Sequence, residues 1–358
     1  MPERNFIKDI SILRKKLLKW YRSSQRSLPW RGIADPYKIW ISEIMLQQTT
    51  VKTVIPYYQR WIKAFPDIKN LSKAPMEKVL KAWEGMGYYE RARNIHRCAK
   101  TVEEKFNGKL PCSYEELLRL PGIGPYTAGA IMSIAFGKRF SILDANVKRL
   151  TVRILCIRGK IKNRQEKKIQ KFLEELLPRK NVGTFNQALM ELGALICRSK
   201  KPLCPICPLS DFCLSYKKGL QEAIPLSKEQ DYEQLEAVLA VIKKNGRILI
   251  KKRASCGLMA DLWEFPMEKK KEGEKHGEAL MRVLRRELGI KTQKVKFLGK
   301  VTHSYTRFRV SLYVYFCMLN NNRVYREGSS RKVWVRKSEL ARYPFTSGSN
   351  KVIKLIKG

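Results

Sequence analysis

Residues 118–136 read LRLPGIGPYTAGAIMSIAF. Pro121 ends the helix before it, Gly122 and Gly124 permit a tight turn, and Pro125 suits the first position of the next helix. Two helices joined by so short a turn make a helix-hairpin-helix. The turn exposes backbone N–H groups at a helix start, where the dipole favours an anion, so a phosphate is expected against Gly122, Ile123 and Gly124. Twenty residues past Gly124, in SILDANVKRL, Asp144 stands where a helix cap belongs.

Working outward, residues 6–225 read as helical. Asp35 and Pro36 form a cap and first-turn pair that opens a helix through IWISEIMLQQTT, and apolar residues at helical spacing mark MEKVLKAWEG, ARNIHRCAKTVEEKF, YEELLRL, NVKRLTVRILC, KIQKFLEELL and FNQALMELGALIC. After Cys213 the polar stretch to about residue 234 reads as a linker. Beyond it LEAVLAVI and RILIKKR flank KKNG as a hairpin, VSLYVYFCML and KVWVRKSEL are further strands, and EALMRVLRREL is a helix. The expected fold is multidomain: an all-α helix-hairpin-helix domain over 1–216, a linker over 217–234 and an α+β domain over 235–358.

The 358 residues carry 73 Lys and Arg against 32 Asp and Glu, a formal charge of +41. The excess is not one tail, because Asp231–Gly358 alone holds 29 basic and 12 acidic residues, a net of +17. Counterion release from phosphates is what such a charge is suited to drive, so a nucleic acid is the expected partner. With 44% hydrophobic residues and seven Trp, the chain can bury a core. No apolar run reaches the roughly 20 residues of a membrane span, and the start, MPERNFIKDI, has no secretory stretch, so a soluble cytoplasmic protein with no membrane partner is expected.

Cys197, Cys204, Cys207 and Cys213 are separated by six, two and five residues, with Pro202, Pro205 and Pro208 stiffening the loop between them. Four crowded thiolates repel one another unless a metal neutralises them. Zinc and a 4Fe-4S cluster both accept four sulfurs; zinc sites usually offer two close pairs, whereas here only Cys204 and Cys207 are close, which favours iron and sulfur. The spacing resembles the cluster loop of the endonuclease III superfamily of DNA glycosylases. That resemblance implies that Arg198, Lys200 and Lys201 face phosphate and that the cluster does not itself break the bond.

Excising a purine from DNA requires protonating a poor leaving group while a cation develops on the sugar. Glu43 is the candidate acid: on its helix it shares a face with Ile39, Trp40 and Leu46, and an apolar surround raises a carboxyl pKa. The segments LPWRGIADPYKIWISEIMLQQTTVKTVIPYYQRW, GMGYYERARN, LPGIGPYTAGAIMSIAFGKRFSILDANVKRL and FNQALMELGALIC together resemble the adenine DNA glycosylase (MutY) family, which removes adenine mispaired with 8-oxoguanine. The resemblance implies that Glu43 protonates the base and manages water, that Asp144 stabilises the oxocarbenium ion or bonds to it transiently, and that Tyr126 and Asn146 orient these groups. Tyr126 stands where bifunctional relatives carry a Schiff-base lysine, so simple base excision without strand cleavage is expected. Glu191 matches a further acidic position. Gln48, Met86 and Tyr88 match residues that wedge into the duplex, and Arg26, Arg31 and Arg91 are candidates for contact with phosphate or the flipped nucleotide.

The second half resembles a Nudix-like domain. Its Arg282-Val283-Leu284-Arg285-Arg286-Glu287-Leu288-Gly289 puts valine and arginine at two acidic positions of a working Nudix box, so magnesium binding and nucleotide hydrolysis are not expected. The lesion-reading loop departs from the family's pattern: Tyr305 keeps a stacking ring and Thr306 a hydroxyl, but Arg307 only donates and carries a permanent charge that favours phosphate over base contact, so a weaker discrimination of 8-oxoguanine from guanine is expected. The substrate so implied is double-stranded DNA holding an adenine:8-oxoguanine mispair, met by a monomer. The alternatives are a related mismatch glycosylase acting on thymine, against which Glu43 beside QQT and the C-terminal domain argue, and a noncatalytic iron-sulfur DNA-binding protein.

Overall fold

The computed structural model describes residues 10–225, 232–289, 294–305, 308–319 and 331–357. Its helices run α1 Ile10–Ser24, α2 Pro36–Leu46, α3 Val51–Ala64, α4 Ile68–Lys73, α5 Met76–Trp83, α6 Glu90–Phe106, α7 Tyr114–Leu118, α8 Pro125–Ala130, α9 Ala145–Ile154, α10 Asn163–Leu176, α11 Val182–Leu195, α12 Leu214–Lys217, α13 His276–Leu288 and α14 Ser347–Lys357. None is long and apolar enough to cross a membrane. The chain divides into two units, Met1–Ser72 with Arg97–Lys228, and Lys73–His96 with Glu229–Gly358. The helical half therefore lends one of its own segments, residues 73–96, to the unit built mainly from the second half.

In the first unit, α2 starts as the sequence indicates, with the Asp35 carboxylate accepting from the N–H groups of Tyr37 (2.9 Å) and Lys38 (3.2 Å). It stops sooner than expected. Gln47 turns extended and Gln48 takes φ 55°, so the QQT segment leaves the helix rather than prolonging it. Leu13 and Leu17 of α1, Leu150 of α9, Phe172 of α10 and Phe185 and Leu189 of α11 fill one core. α8 passes directly into a π-helical turn at Ile131–Ala135. α11 lies so close to that turn that a Cβ at Gly183 would sit 2.6 Å from the Ser133 carbonyl oxygen. The hairpin forms as read: Gly122 takes φ 76° and Gly124 caps α8, while the Ile123 N–H, one of the three expected to face phosphate, is spent on the Leu120 carbonyl (3.2 Å).

The second unit contains a seven-stranded sheet: β1 Glu233–Lys244, β2 Arg247–Lys252, β3 Trp263–Glu264, β4 Met267–Lys269, β5 Lys294–Tyr305, β6 Phe308–Met318 and β7 Lys332–Arg336. The main order is β3-β2-β1-β6-β5, with β4 on β1 and β7 on β2; β1 and β6 run parallel. Asn245 and Gly246 both have positive φ in the two-residue turn between Lys244 and Arg247, as Asn-Gly in a hairpin requires. α13 covers one face through Leu280, Val283 and Leu284, and Val352 and Ile353 of α14 pack against the other. The sequence reading misses β5 and α14, and it extends the last strand too far, since residues 337–342 form a 3-10 turn.

At the two acidic positions of a Nudix box that this chain lacks, Val283 and Arg286 stand instead. Glu268 is paired with both Arg282 and Arg286, and Arg282 also binds Glu274 at 2.9 Å. Burial alone would raise the Glu287 carboxyl, but Lys332 (2.8 Å), Lys251 (3.0 Å) and Arg286 (2.8 Å) hold it down at about 2.

Candidate active site

α2 delivers Glu43 to the interior, where only 4% of its surface is exposed. Desolvation disfavours the carboxylate and lifts its pKa to about 7; the Tyr126 hydrogen bond and the charge of Arg31 oppose the rise, and the charge of Asp144 adds to it. Tyr126 follows the Pro125 that opens α8, and its hydroxyl donates to the Glu43 carboxylate. Burial, and then the negative charge of Glu43, keep the phenol protonated as a donor.

Asp144 caps α9, accepting from the Val147 N–H at 2.6 Å and from the Asn146 side-chain amide at 2.9 Å. Its pKa is raised, chiefly by burial, against the pull of those hydrogen bonds. Capping and chemistry do not compete here, because the bonds that satisfy the helix end also fix the carboxylate. Two residues that the sequence reading passes over complete this support. Arg149 donates to Asn146 Oδ1 (2.9 Å), the Gly193 carbonyl (2.7 Å) and the Cys197 carbonyl (2.8 Å), and Gly193 lies so near that a Cβ there would come within 2.8 to 3.0 Å of Asn146. The sequence signals were a basic residue one turn into a buried helix and a glycine two residues beyond Glu191.

Glu191 on α11 is 1% exposed and gathers two arginines: Arg26 through Nε (2.7 Å), NH2 (2.9 Å) and its backbone N–H (3.0 Å), and Arg31 through NH2 (2.8 Å). Burial pushes the Glu191 carboxyl up, but these bonds and charges overcome it and hold it low. Arg31 also donates to the Tyr21 hydroxyl at 2.7 Å. Both arginines thus spend hydrogen bonds on a buried carboxylate, and Glu191 is a structural anion that ties the 26–31 loop to α11. The charges of Asp144 and Arg31 both act on Glu43 and on Tyr126, so the structure brings the two acids into one neighbourhood.

Gln48 is exposed in a left-handed backbone conformation that is uncommon for residues other than glycine. In the other unit Tyr88 has the same character, with φ 48° and 45% of its surface exposed, whereas Met86 is buried, with 6% exposed. Arg91 lies over the rings of Trp83 (5.1 Å) and Tyr88 (5.5 Å) and donates to the Gly87 carbonyl (3.3 Å). It supports the turn that carries Tyr88. Tyr305 ends β5, and Thr306 and Arg307 lie outside the described residues.

The four cysteines line one pocket together with Arg153. Arg153, 1% exposed, holds the loop through the carbonyls of Ile224 (2.6 Å), Arg198 (2.5 Å) and Ser199 (3.1 Å) and donates to Cys197 Sγ (3.3 Å). Burial lifts the Cys207 thiol to about 12 and raises those of Cys204 and Cys213, and the charge of neighbouring sulfurs raises these three further. Such a set takes charge only against a strongly positive group. Among the described residues no three His, Cys, Asp or Glu are gathered to hold a single ion; the four thiols line one space beside a buried guanidinium, a donor set of the chemistry that a thiolate-held metal group takes. Arg198, Lys200 and Lys201 are exposed beside it.

A hairpin ahead of a capping aspartate, a buried acid and a four-cysteine loop define a class. The model of the HhH-GPD superfamily of base excision DNA repair proteins matches residues 41–179, and a NUDIX domain model matches residues 237–355. A thermostable thymine-DNA glycosylase is 31% identical with a TM-score of 0.54, covering 58% of this chain and 97% of its own; an endonuclease III bound to DNA, 24% identical with a TM-score of 0.51, covers 60% and 99% and shows the same fold. An adenine DNA glycosylase of Buchnera aphidicola is 43% identical over 71% of this chain and 73% of its own, and that of Homo sapiens is 30% identical over 98% and 75%. This chain belongs to the adenine DNA glycosylase family.

Proposed function

We propose that this protein excises adenine from double-stranded DNA, preferring adenine opposite 8-oxoguanine and accepting adenine opposite guanine, by monofunctional hydrolysis in the cytoplasm. The observation that carries the reading is Glu43: a buried carboxyl poised at about 7, held by a phenol and facing the charge of a helix-capping aspartate. Once the adenine is extruded, the Glu43 carboxyl gives its proton to the base as the C–N glycosidic bond breaks with its electron pair. Asp144, fixed by Val147 and Asn146, stabilises the positive sugar or bonds to it transiently. Water then adds to the anomeric carbon and returns a proton to Glu43. No amine stands at position 126, so the backbone stays intact.

Gly122 and Gly124 present N–H groups to phosphate, Gln48 and Tyr88 enter the duplex, and Tyr305, Thr306 and Arg307 read the opposite base. Cys197, Cys204, Cys207 and Cys213 would hold a 4Fe-4S cluster, whose positive core would take up the charge of the four thiolates; the basic residues beside it meet DNA. The protein acts as a monomer. The test is an excision panel on duplexes carrying A, T or C opposite 8-oxoguanine or guanine. Alkali-dependent breaks confined to A support the reading, breaks at T transfer it to a thymine enzyme, and binding with no breaks at all overturns catalysis.

A further inference from the structure

Residues 73–96 fall inside the helical half of the sequence, yet their side chains are fastened to the second unit. Glu84, the residue that ends α5, directs Oε1 to the Phe345 N–H (2.6 Å) and the Asn350 side-chain amide (2.8 Å), partners 261 and 266 positions away. Its other oxygen pairs with Lys81, whose ammonium reaches the Tyr343 carbonyl at 2.9 Å. At the start of α5, Glu77 accepts from the Trp263 indole N–H at 2.7 Å. Beyond the turn, the Tyr89 hydroxyl accepts from the Gly85 N–H (3.0 Å) and donates to the Phe345 carbonyl (3.4 Å). The Gly85-Met86-Gly87-Tyr88 turn is therefore clamped on both sides to the entry of α14, with Trp83 donating to Gly87 (3.0 Å) from below. Tyr88 projects from the clamp.

We propose that Glu84 is a positioning residue that mounts the Tyr88 wedge on the Nudix-like unit, so that opening the duplex and reading the base opposite are performed by one body while Glu43 and Asp144 cut from the other. This rests on the reading of Tyr88 as a wedge. A carboxylate suits the task because a single oxygen gathers a backbone and a side-chain donor at the start of one helix, while its partner oxygen fixes the lysine that grips the next carbonyl along. Losing the carboxylate frees the turn without touching the acids.

The experiment uses the full-length, cluster-loaded protein with Glu84→Ala, Asn350→Ala and the conservative Glu84→Gln, which keeps the accepting oxygen. Single-turnover excision is compared on adenine opposite 8-oxoguanine in an intact duplex and on adenine opposite a one-nucleotide gap, where there is no pair to break, and 2-aminopurine fluorescence beside the target reports extrusion. Glu84→Ala is expected to slow intact-duplex excision and cut the fluorescence rise roughly tenfold while changing the gap rate less than about twofold, with Glu84→Gln close to wild type. Asn350→Ala shifts the same ratio in the same direction, and decides the matter if Glu84→Ala does not fold. Equal losses on both substrates, or an unchanged ratio in both alanine variants, overturn the proposal. Wild-type protein that gives the fluorescence rise but excises neither adenine would sink the proposed activity instead, and the fluorescence arm would still test Glu84.

Discussion

Replacing Glu43 with Gln removes the acid and also relieves the fold of a buried charge. The carboxyl is held at about 7, against 4.5 for the unburied group, chiefly by desolvation, and that displacement corresponds to about 3 kcal/mol. The folded protein keeps a proton that the unfolded chain releases, so the Glu43 contribution makes stability fall as pH rises from about 4.5 to about 7 and then level off. Glutamine has no proton to keep, and its amide oxygen still accepts from Tyr126. Urea unfolding of wild type and Glu43→Gln should coincide near pH 4.5 and separate progressively, the variant gaining up to about 3 kcal/mol by pH 8. In the same preparations excision by the variant is abolished with duplex affinity intact, and the wild-type rate declines as pH climbs past about 7 because the acid form is lost. Stability curves that run parallel across this range, or a variant that still turns over, would refute the assignment of Glu43 as a buried proton donor.

Gly193→Ala puts a methyl group against Asn146, should cost about 1–3 kcal/mol by overpacking, and should lower excision by displacing Asp144, measured by melting and single-turnover rates. Glu191→Ala leaves Arg26 and Arg31 without their shared anion, and a loss of about 3 kcal/mol is expected in urea titration. Cys204→Ser should shed iron and acid-labile sulfide, read by chemical analysis of anaerobically purified protein, and weaken duplex binding. Arg307→His should sharpen the preference for 8-oxoguanine over guanine in competition assays; an unchanged preference assigns that loop to phosphate.

Much of the candidate site was legible because the proposed chemistry and the local structure ask for the same residues. Asp144 reads as a cap and is one, and Glu43 turns inward on the helix face that it shares with Ile39 and Trp40. What could not be read were pairings across long separations. Arg26 and Arg31 look like surface charges until α11 brings Glu191 between them from 165 and 160 positions away. The same holds for residues 73–96, whose apolar spacing announces helices but cannot say which core receives them. Met86 and Tyr88 are two positions apart in a glycine-rich turn, and only the backbone conformation separates the buried one from the exposed one. β5 escaped because its alternation is interrupted by lysines and by an irregularity between Phe297 and Gly299.

The arginines seated on Glu268 bear on how the C-terminal unit can evolve. An acid restored at position 286 would face Glu268 and Glu287 as one more negative charge before any ion had a complete cage, so that step back toward hydrolysis is uphill. The pairing works as a ratchet: the fold keeps its carboxylates, satisfies them internally, and leaves drift free to reshape the loops around them.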